Sequence, residues 1–378
     1  MSKPHQKHAK LTRPVYGEFH RSEWGFTGAP CGTIQQLSAK LIGALEMHYR
    51  LAYVDADHAA GDQAETMPVS GSALVYTDKI NYHRYDLADE LNAFHRRPLF
   101  NGVDGVLVNG NHFLAKRQIV ILDPKKEESL SRKLDRLTDV ALILTTPGQE
   151  KPYDFLLEHL GDQRPFVMPL GDTNGIIQWL RAQLTAARAP INGLVLAGGK
   201  SQRMGSDKGQ IAYHELPQRE HLAQELNGIC QDVYYSLRAE QEAQKEMPVI
   251  RDTFTGLGPF GAILSAFREQ PEAAWLVVAC DLPLLNQEAL KFLLQHRDPS
   301  KLATAFHNPE TGWPDPLVTI WEPRAYPVLL QFLAQGYSCP RKVLINSDIK
   351  LLEAPNPNIL KNANSPEERE EIRKILAK

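Results

Sequence analysis

Short apolar runs without polar alternation recur along this chain, each followed by an amphipathic stretch, and that rhythm limits the fold more than any single motif does. Leu51–Val54 and residues 119–122, 140–144 and 275–279 are runs of this kind. Successive side chains of a strand point to opposite faces. A strand that is apolar throughout therefore has both faces covered, as in a parallel sheet layered between helices. In the first half strands are expected at 24–27, 51–54, 105–108, 119–122 and 140–144. Helices are expected at 34–45, with Leu37, Leu41 and Leu45 four apart, at 127–137, and at 173–187. Ala189-Pro190 then breaks the chain, and a new strand starts at Ile191. The second half repeats the pattern: strand 191–197, helix 220–226, strand Val233–Leu237, helix 261–269 and strand 275–279.

At 378 residues the chain is too long for one ordinary core. The expected architecture is α/β, with two three-layer α/β domains at residues 15–188 and 189–378 behind a basic, flexible tail at 1–14. That tail carries Lys3, Lys7, Lys10 and Arg13 but no apolar core, so it reads as neither signal peptide nor anchor. No apolar run approaches the ~20 residues that span a bilayer. A net charge of −3 gives no general attraction to nucleic acid or anionic membranes, so an anionic substrate must be held by local geometry. Cys31, Cys230, Cys280 and Cys339 are scattered, with no CxxC pair or zinc-ligand spacing. Reduced thiols and a cytoplasmic location follow as expectations.

The densest information lies in Leu194-Val195-Leu196-Ala197-Gly198-Gly199-Lys200-Ser201-Gln202-Arg203-Met204-Gly205-Ser206-Asp207-Lys208. A buried strand runs straight into paired glycines, which let backbone N–H groups approach an oxygen-rich ligand. Arg203 and Lys208 follow in the same loop and bring two cations to where a triphosphate would sit. The carboxyl end of a parallel strand is the expected place for a nucleotide. The GxxxxGK[ST] pattern is absent here. A second strand, Trp275-Leu276-Val277-Val278-Ala279-Cys280-Asp281-Leu282-Pro283, ends in one carboxylate. Mg²⁺ prefers oxygen ligands and keeps much of its water, so one such carboxylate plus substrate phosphates suffices to hold it. A helix N-cap is the other use open to Asp281. Cys280 reads as a small core residue, with no activating base nearby.

These stretches resemble the molybdenum cofactor guanylyltransferases, within the wider nucleotidyltransferase family, through their LAGGxSxRMGxDK and CDxP elements. The resemblance implies nucleotide binding by Leu196, Ala197, Gly198, Gly199, Lys208, Asp252 and Asp281. It implies catalytic roles for Lys208, Arg203 and Asp281, with Mg²⁺ on Asp281. The run from Arg251-Asp252 through Gly256, Gly258, Pro259 and Gly261 is similar to the family's D…GPLGGIL element, with Phe260 where leucine is common. Asn362-Ala363-Asn364-Ser365-Pro366-Glu367-Glu368 is similar to NxNTPEE. Gly258, Gly261, Asn362 and Asn364 are thereby implied on the molybdopterin side. Ser365-Pro366 followed by two acids is also a good helix start. Asp315-Pro316-Leu317 resembles the family's PL strand.

The implied reaction joins GMP from GTP to the terminal phosphate of molybdopterin and releases pyrophosphate. Two alternatives stay open: another nucleotide such as CTP or another phosphate acceptor, and a non-catalytic cofactor carrier. Cytidine relatives usually show AAG where this chain has AGG. Ser236 stands where the family often carries a guanine-side asparagine.

In the first half, Gly25-Phe26-Thr27-Gly28-Ala29-Pro30-Cys31-Gly32-Thr33-Ile34 sits where a phosphate loop would be. The half is similar to MobB, a P-loop adapter family. Thr33 rather than lysine follows Gly32, and Asn109 stands where an acid is expected. Without the lysine a P-loop loses the charge that holds β- and γ-phosphates, so little GTP hydrolysis is expected here. Asp55 and Asp57 read as a strand-end turn before a cation site. The resemblance implies docking on the catalytic half or on molybdoenzyme apoproteins.

Overall fold

The computed structural model describes residues 11–57, 67–198, 208–238, 240–241, 247–363 and 365–376. The chain divides into two compact units, one spanning Tyr16–Ala187 and the other running from Arg188 onward and including residues up to Val15. Val15 donates its N–H to Glu272 Oε1 at 3.1 Å within that second unit.

The first unit has strands β1 (Glu23–Thr27), β2 (Leu51–Val54), β3 (Leu74–Asp78), β4 (His83–Leu87), β5 (Gly105–Asn109), β6 (Arg117–Leu122), β7 (Val140–Thr145) and β8 (Phe166–Pro169). Six of them form one parallel sheet in the order β2-β5-β1-β6-β7-β8. β1 and β5 are buried at every position, as a sheet covered on both faces requires. One face packs on helices Cys31–Leu45 and Thr173–Ala186, and Leu37, Leu41 and Leu45 form the buried row their spacing foretold. Val120, Leu122, Leu130, Val140 and Leu156 fill the other face. Among the described residues β3 and β4 pair only with each other and leave Tyr76, Ile80, Tyr82 and Tyr85 exposed.

The expected continuous helix at 127–137 is not formed. A helix at Glu127–Ser131 is followed by a tighter 3-10 turn at Leu134–Arg136. Ser131 Oγ and Arg132 Nε both donate to the Glu128 carbonyl, at 2.9 and 3.3 Å, and compete for the acceptor that the helix ladder needs. Leu130 and Leu137 keep their buried places despite the break.

In the second unit the strands are β9 (Ile191–Leu196), β10 (Val233–Leu237), β11 (Val249–Arg251), β12 (Ala274–Ala279), β13 (Ala303–Asn308), β14 (Trp313–Trp321) and β15 (Lys350–Glu353). The sheet order is β11-β10-β9-β12-β14-β13-β15. β11, β10, β9 and β12 run parallel, as the βα rhythm implies, whereas β14 is antiparallel to both β12 and β13. A wholly parallel sheet is therefore not what forms. The turn through Gly312 at φ 72° joins β13 directly to β14 and makes them a hairpin. Helices Gln218–Asn227 and Gln287–Gln295 cover one face, and Pro259–Glu269, Ala325–Ala334 and Pro340–Ile345 cover the other. Phe260 is fully buried beside Leu194 and Trp275, so the aromatic ring at this position fills core space. Cys280 is likewise a core residue, and none of the four cysteines is in a disulfide. Among the described residues no helix is long and apolar enough to cross a membrane.

Candidate active site

Chain order in the second sheet creates its crevice. From β9 the chain moves outward to β10 and β11, then returns to the opposite side of β9 as β12. Such a reversal leaves a cleft outside the carboxyl ends of the two central strands, where open α/β sheets take their ligands. Leu196 is the registered partner of both Ser236 on β10 and Ala279 on β12. Ala197-Gly198 and Cys280-Asp281 therefore leave the sheet side by side at this edge. Arg238 and Asp252 leave it next to them, because Leu237 pairs with Arg251.

A hydrogen-bond lattice fixes the edge. Ala197 N–H donates to the Ser236 carbonyl at 3.1 Å, and Asp252 N–H to that of Leu237 at 2.9 Å. Gln241 accepts from Arg238 N–H at 2.9 Å and donates to the Ala197 carbonyl at 3.2 Å. Arg251 donates to the carbonyls of Arg238 and Gln241 at 3.1 and 2.8 Å. Nothing in the sequence gives Arg238 or Gln241 a role, since a lone Arg or Gln after a strand does not announce bracing, and Arg251 stood out only as the start of the Arg251-Asp252 element. A Cβ on Gly198 would meet Arg238 only at ordinary contact, 3.4 Å or more. Among the described residues nothing in the packing demands glycine at 198, and a bare backbone there leaves room for close approach by a ligand.

Asp252 is held by Ser236, whose hydroxyl donates to Oδ1 at 2.9 Å. Burial raises the proton affinity of Asp252, and the Ser236 hydrogen bond and Arg238 pull it back. Ser236 is buried, so it acts on Asp252 rather than on a base. Asp315 is also buried, and Asn308 Nδ2 and the Leu317 N–H donate to it at 3.1 and 2.9 Å. Its carboxylate is spent on shaping the β13–β14 hairpin.

Asp281 lies half-buried, and its carbonyl accepts the Ala363 N–H at 2.9 Å, which brings the C-terminal segment with Asn362 to the same edge. Beyond it the helix Pro366–Leu376 opens with the capping box read in the sequence. Ser365 Oγ accepts from Glu368 N–H at 3.2 Å, and Glu368 Oε2 from Ser365 N–H at 3.1 Å. Arg369 from this helix sits over the Tyr213 ring at 6.0 Å. Burial raises the Tyr213 phenol, Arg369 and Arg373 oppose that shift, and Asp281 adds to it, so these groups share one neighbourhood. Gly199, Arg203, Asn364 and the Lys208 side chain lie outside the described residues.

The loop after Asp281 has its own brace. His214 Nε2 donates to the Pro283 carbonyl at 2.9 Å and stacks on His221 at 3.8 Å. Burial, then His214, pushes the His221 imidazole down to about 4 from 6.5. Because the folded pKa is the lower one, the unfolded chain takes up this proton first as pH falls. Stability of the second unit is expected to be complete above pH 6.5 and to decline between 6.5 and about 4. Denaturant unfolding above, within and below that window checks this, and a His221→Phe protein should show a shallower slope. An unchanged slope in that variant would refute the assignment.

Gly258 at φ 58° adopts a backbone conformation that side chains avoid, and it begins the helix Pro259–Glu269. Gly261 serves packing, because a Cβ there would drive into the Phe254 carbonyl oxygen. Gly261→Ala is expected to destabilise the second unit by about 2 kcal/mol or more. Equilibrium denaturation measures it, and a change within error would show that the loop yields freely.

Among the described residues no cluster of three His, Cys, Asp or Glu is arranged to hold a metal ion. Mg²⁺ bound with nucleotide phosphates needs only one or two protein carboxylates, so the carboxylate of Asp281 suits that ion.

Residues 193–349 match the MobA-like NTP transferase domain model. The chain is 31% identical over 200 residues to a molybdenum cofactor biosynthesis bifunctional protein of Synechocystis, covering 52% of this chain and 58% of that relative. It is 30% identical over 186 residues to the molybdenum cofactor guanylyltransferase of Pseudomonas putida, covering 48% of this chain and 96% of the relative. Among solved structures, molybdopterin-guanine dinucleotide biosynthesis protein A of Archaeoglobus fulgidus aligns at TM-score 0.43 and 20% identity, over 49% of this chain and 98% of that one. A MobB protein homolog of Bacillus stearothermophilus aligns at TM-score 0.31 and 16% identity, over 43% and 98%. The sequence matches, the glycine run after β9 and the carboxylate after β12 agree: the chain belongs to the MobA-like NTP transferases, in the molybdenum cofactor guanylyltransferase family.

Proposed function

We propose that the second half, residues 189–378, transfers GMP from GTP to the phosphate of molybdopterin and releases pyrophosphate. The observation that carries this reading is the meeting of Gly198 and Asp281 on adjacent strands at the sheet's switch point. The nucleophile is a phosphate monoester whose second pKa is about 6, so it is already anionic near neutral pH and needs no base. Catalysis then rests on alignment and charge neutralisation. The backbone of Leu196, Ala197, Gly198 and Gly199 holds the nucleotide; the Ala197 N–H is taken by the Ser236 carbonyl, so the glycines are the ones that offer N–H groups to the triphosphate. Lys208 and Arg203 offset the charge that grows on the α-phosphate and leaving group, while Asp252, oriented by Ser236, faces the nucleoside. Gly258, Gly261, Asn362 and Asn364 take the pterin side. Bound Mg²⁺ would supply Lewis-acid polarisation of the α-phosphate, and Asp281 is the residue that would hold it.

Titrating the full chain with each of the four nucleoside triphosphates and Mg²⁺, then measuring pyrophosphate release with molybdopterin, tests this. GTP is expected to bind and turn over. Preference for CTP would move the chain to the cytidylyl branch, and turnover with none would favour a cofactor carrier.

The first half, residues 15–188, serves in this proposal as an adapter that presents the transferase to molybdoenzyme apoproteins in the cytoplasm. Asn109 spends its amide on Asp55 Oδ1 at 2.8 Å, and Tyr53 donates to Oδ2 at 2.6 Å, so Asp55 is tied into the strand-end turn. A full-length Asp281→Ala protein should show no GTP hydrolysis, and turnover by it would overturn the adapter reading.

A further inference from the structure

The carboxyl edge of the first sheet gathers a second set of reactive groups, which the transferase reading does not use. Counted from Gly25, the pattern GxxxxGK[ST] falls on Pro30, Cys31 and Gly32, so a thiol stands where a phosphate loop carries its lysine. Cys31 is the first residue of a helix that continues to Leu45, and no acidic residue occupies its first turn. Peptide dipoles at such a start favour negative charge on sulfur.

Cys31 Sγ lies 3.2 Å from His112 Nε2, and Asp55 Oδ1 lies 3.8 Å from that same nitrogen. The Asn111 amide donates to the Ala29 carbonyl at 2.9 Å and reaches Cys31 Sγ at 3.7 Å. Lys133 donates to the Asn111 carbonyl at 3.0 Å. Burial and the neighbouring Arg136, Lys126 and Arg132 lower the proton affinity of Lys133, and Cys31 works against them. Cys31 therefore faces a basic cluster. Cys31 is also partly exposed, so a small reagent can reach it.

We propose that Cys31, His112 and Asp55 form a nucleophilic thiol site that enters mixed disulfides with small-molecule disulfides. His112 Nε2 accepts the Cys31 proton, and Asp55 offsets the imidazolium charge. The thiolate attacks one sulfur of the disulfide, a new S–S bond forms to Cys31, and the old S–S bond breaks. The displaced thiolate leaves with the electron pair and takes the proton from His112, so no further oxidant is required. Acyl transfer is disfavoured by the geometry. There the carboxylate orients the imidazole through the nitrogen opposite the nucleophile, whereas here thiol and carboxylate approach one nitrogen.

The other cysteines supply internal controls. Cys339 is exposed, Cys280 is buried, and burial pushes the Cys230 thiol up to about 12. The full-length protein is treated with glutathione disulfide, and modified peptides are located by mass. Cys31 is expected to react about tenfold or more faster than Cys339. Cys31→Ser should remove the fast phase. His112→Gln should slow Cys31 about tenfold while Cys339 keeps its rate, and an unchanged urea unfolding curve of the variant reports that the first unit remains folded. Reaction at Cys31 no faster than at Cys339 in the unmodified sequence would overturn the proposal, as would an unchanged Cys31 rate in folded His112→Gln.

Discussion

Asp281→Ala is expected to lower nucleotidyl transfer by about a thousandfold or more, a loss of about 4 kcal/mol in transition-state stabilisation, and to leave the fold intact. The carboxylate follows β12 directly at the switch point, and its side chain is half-buried there. Its backbone carbonyl, which accepts the Ala363 N–H, survives the substitution. Asp281→Asn separates charge from shape, because the amide keeps the volume but holds a divalent ion poorly. Both variants should show wild-type denaturation curves and greatly reduced pyrophosphate release. Lys208→Ala is expected to fail in the same assay. Full activity in a folded Asp281→Ala protein would remove the metal assignment and, with it, the mechanism proposed for this edge.

The largest effect on stability is expected at Glu23, in the first unit. Its side chain is fully buried and accepts four backbone hydrogen bonds. Glu18 and Lys116 donate to Oε1, and Phe19 and His20 to Oε2, each at 2.8 Å. Removing the carboxylate strands four N–H groups away from water, and Glu23→Ala should cost about 3–5 kcal/mol. Glu23→Gln should do little better. Whichever way the amide turns, its NH₂ faces two N–H donors that need an acceptor. Urea unfolding of the two variants checks the pair, and a Gln variant close to wild type would show that the segment around Phe19 can move away.

The sequence carried the parallel core of both sheets because those strands are apolar on both faces and end at glycine, proline or acid. β1, β5, β9 and β12 were readable for that reason. β13 and β15 were not, since Thr304 and His307 interrupt one and Lys350 and Glu353 bracket the other. The hairpin β3–β4 carries its apolar and polar residues on exposed surfaces, so no burial pattern marks it. Asp281 and Gly198-Gly199 stood out because each follows an apolar strand directly, and Asp252 stood out through the family resemblance. Arg238, Gln241, Tyr213 and Arg369 did not, because they act through contacts between segments far apart in the chain. The sequence reading of the phosphate-like loop noted the missing lysine after Gly32. Counting the pattern from Gly25 instead puts Cys31 at the lysine position, and Cys31 is also the first residue of the helix that follows.

The hydrogen bond from Ala363 to the Asp281 carbonyl ties the segment at 362–376 to the crevice. Docking of the final helix and the seating of that carboxylate thus become one event. Proteins cut short before residue 363 lose the clamp while every strand of the sheet is still present. Their fault would surface as a poorly aligned reaction centre in an otherwise sound fold.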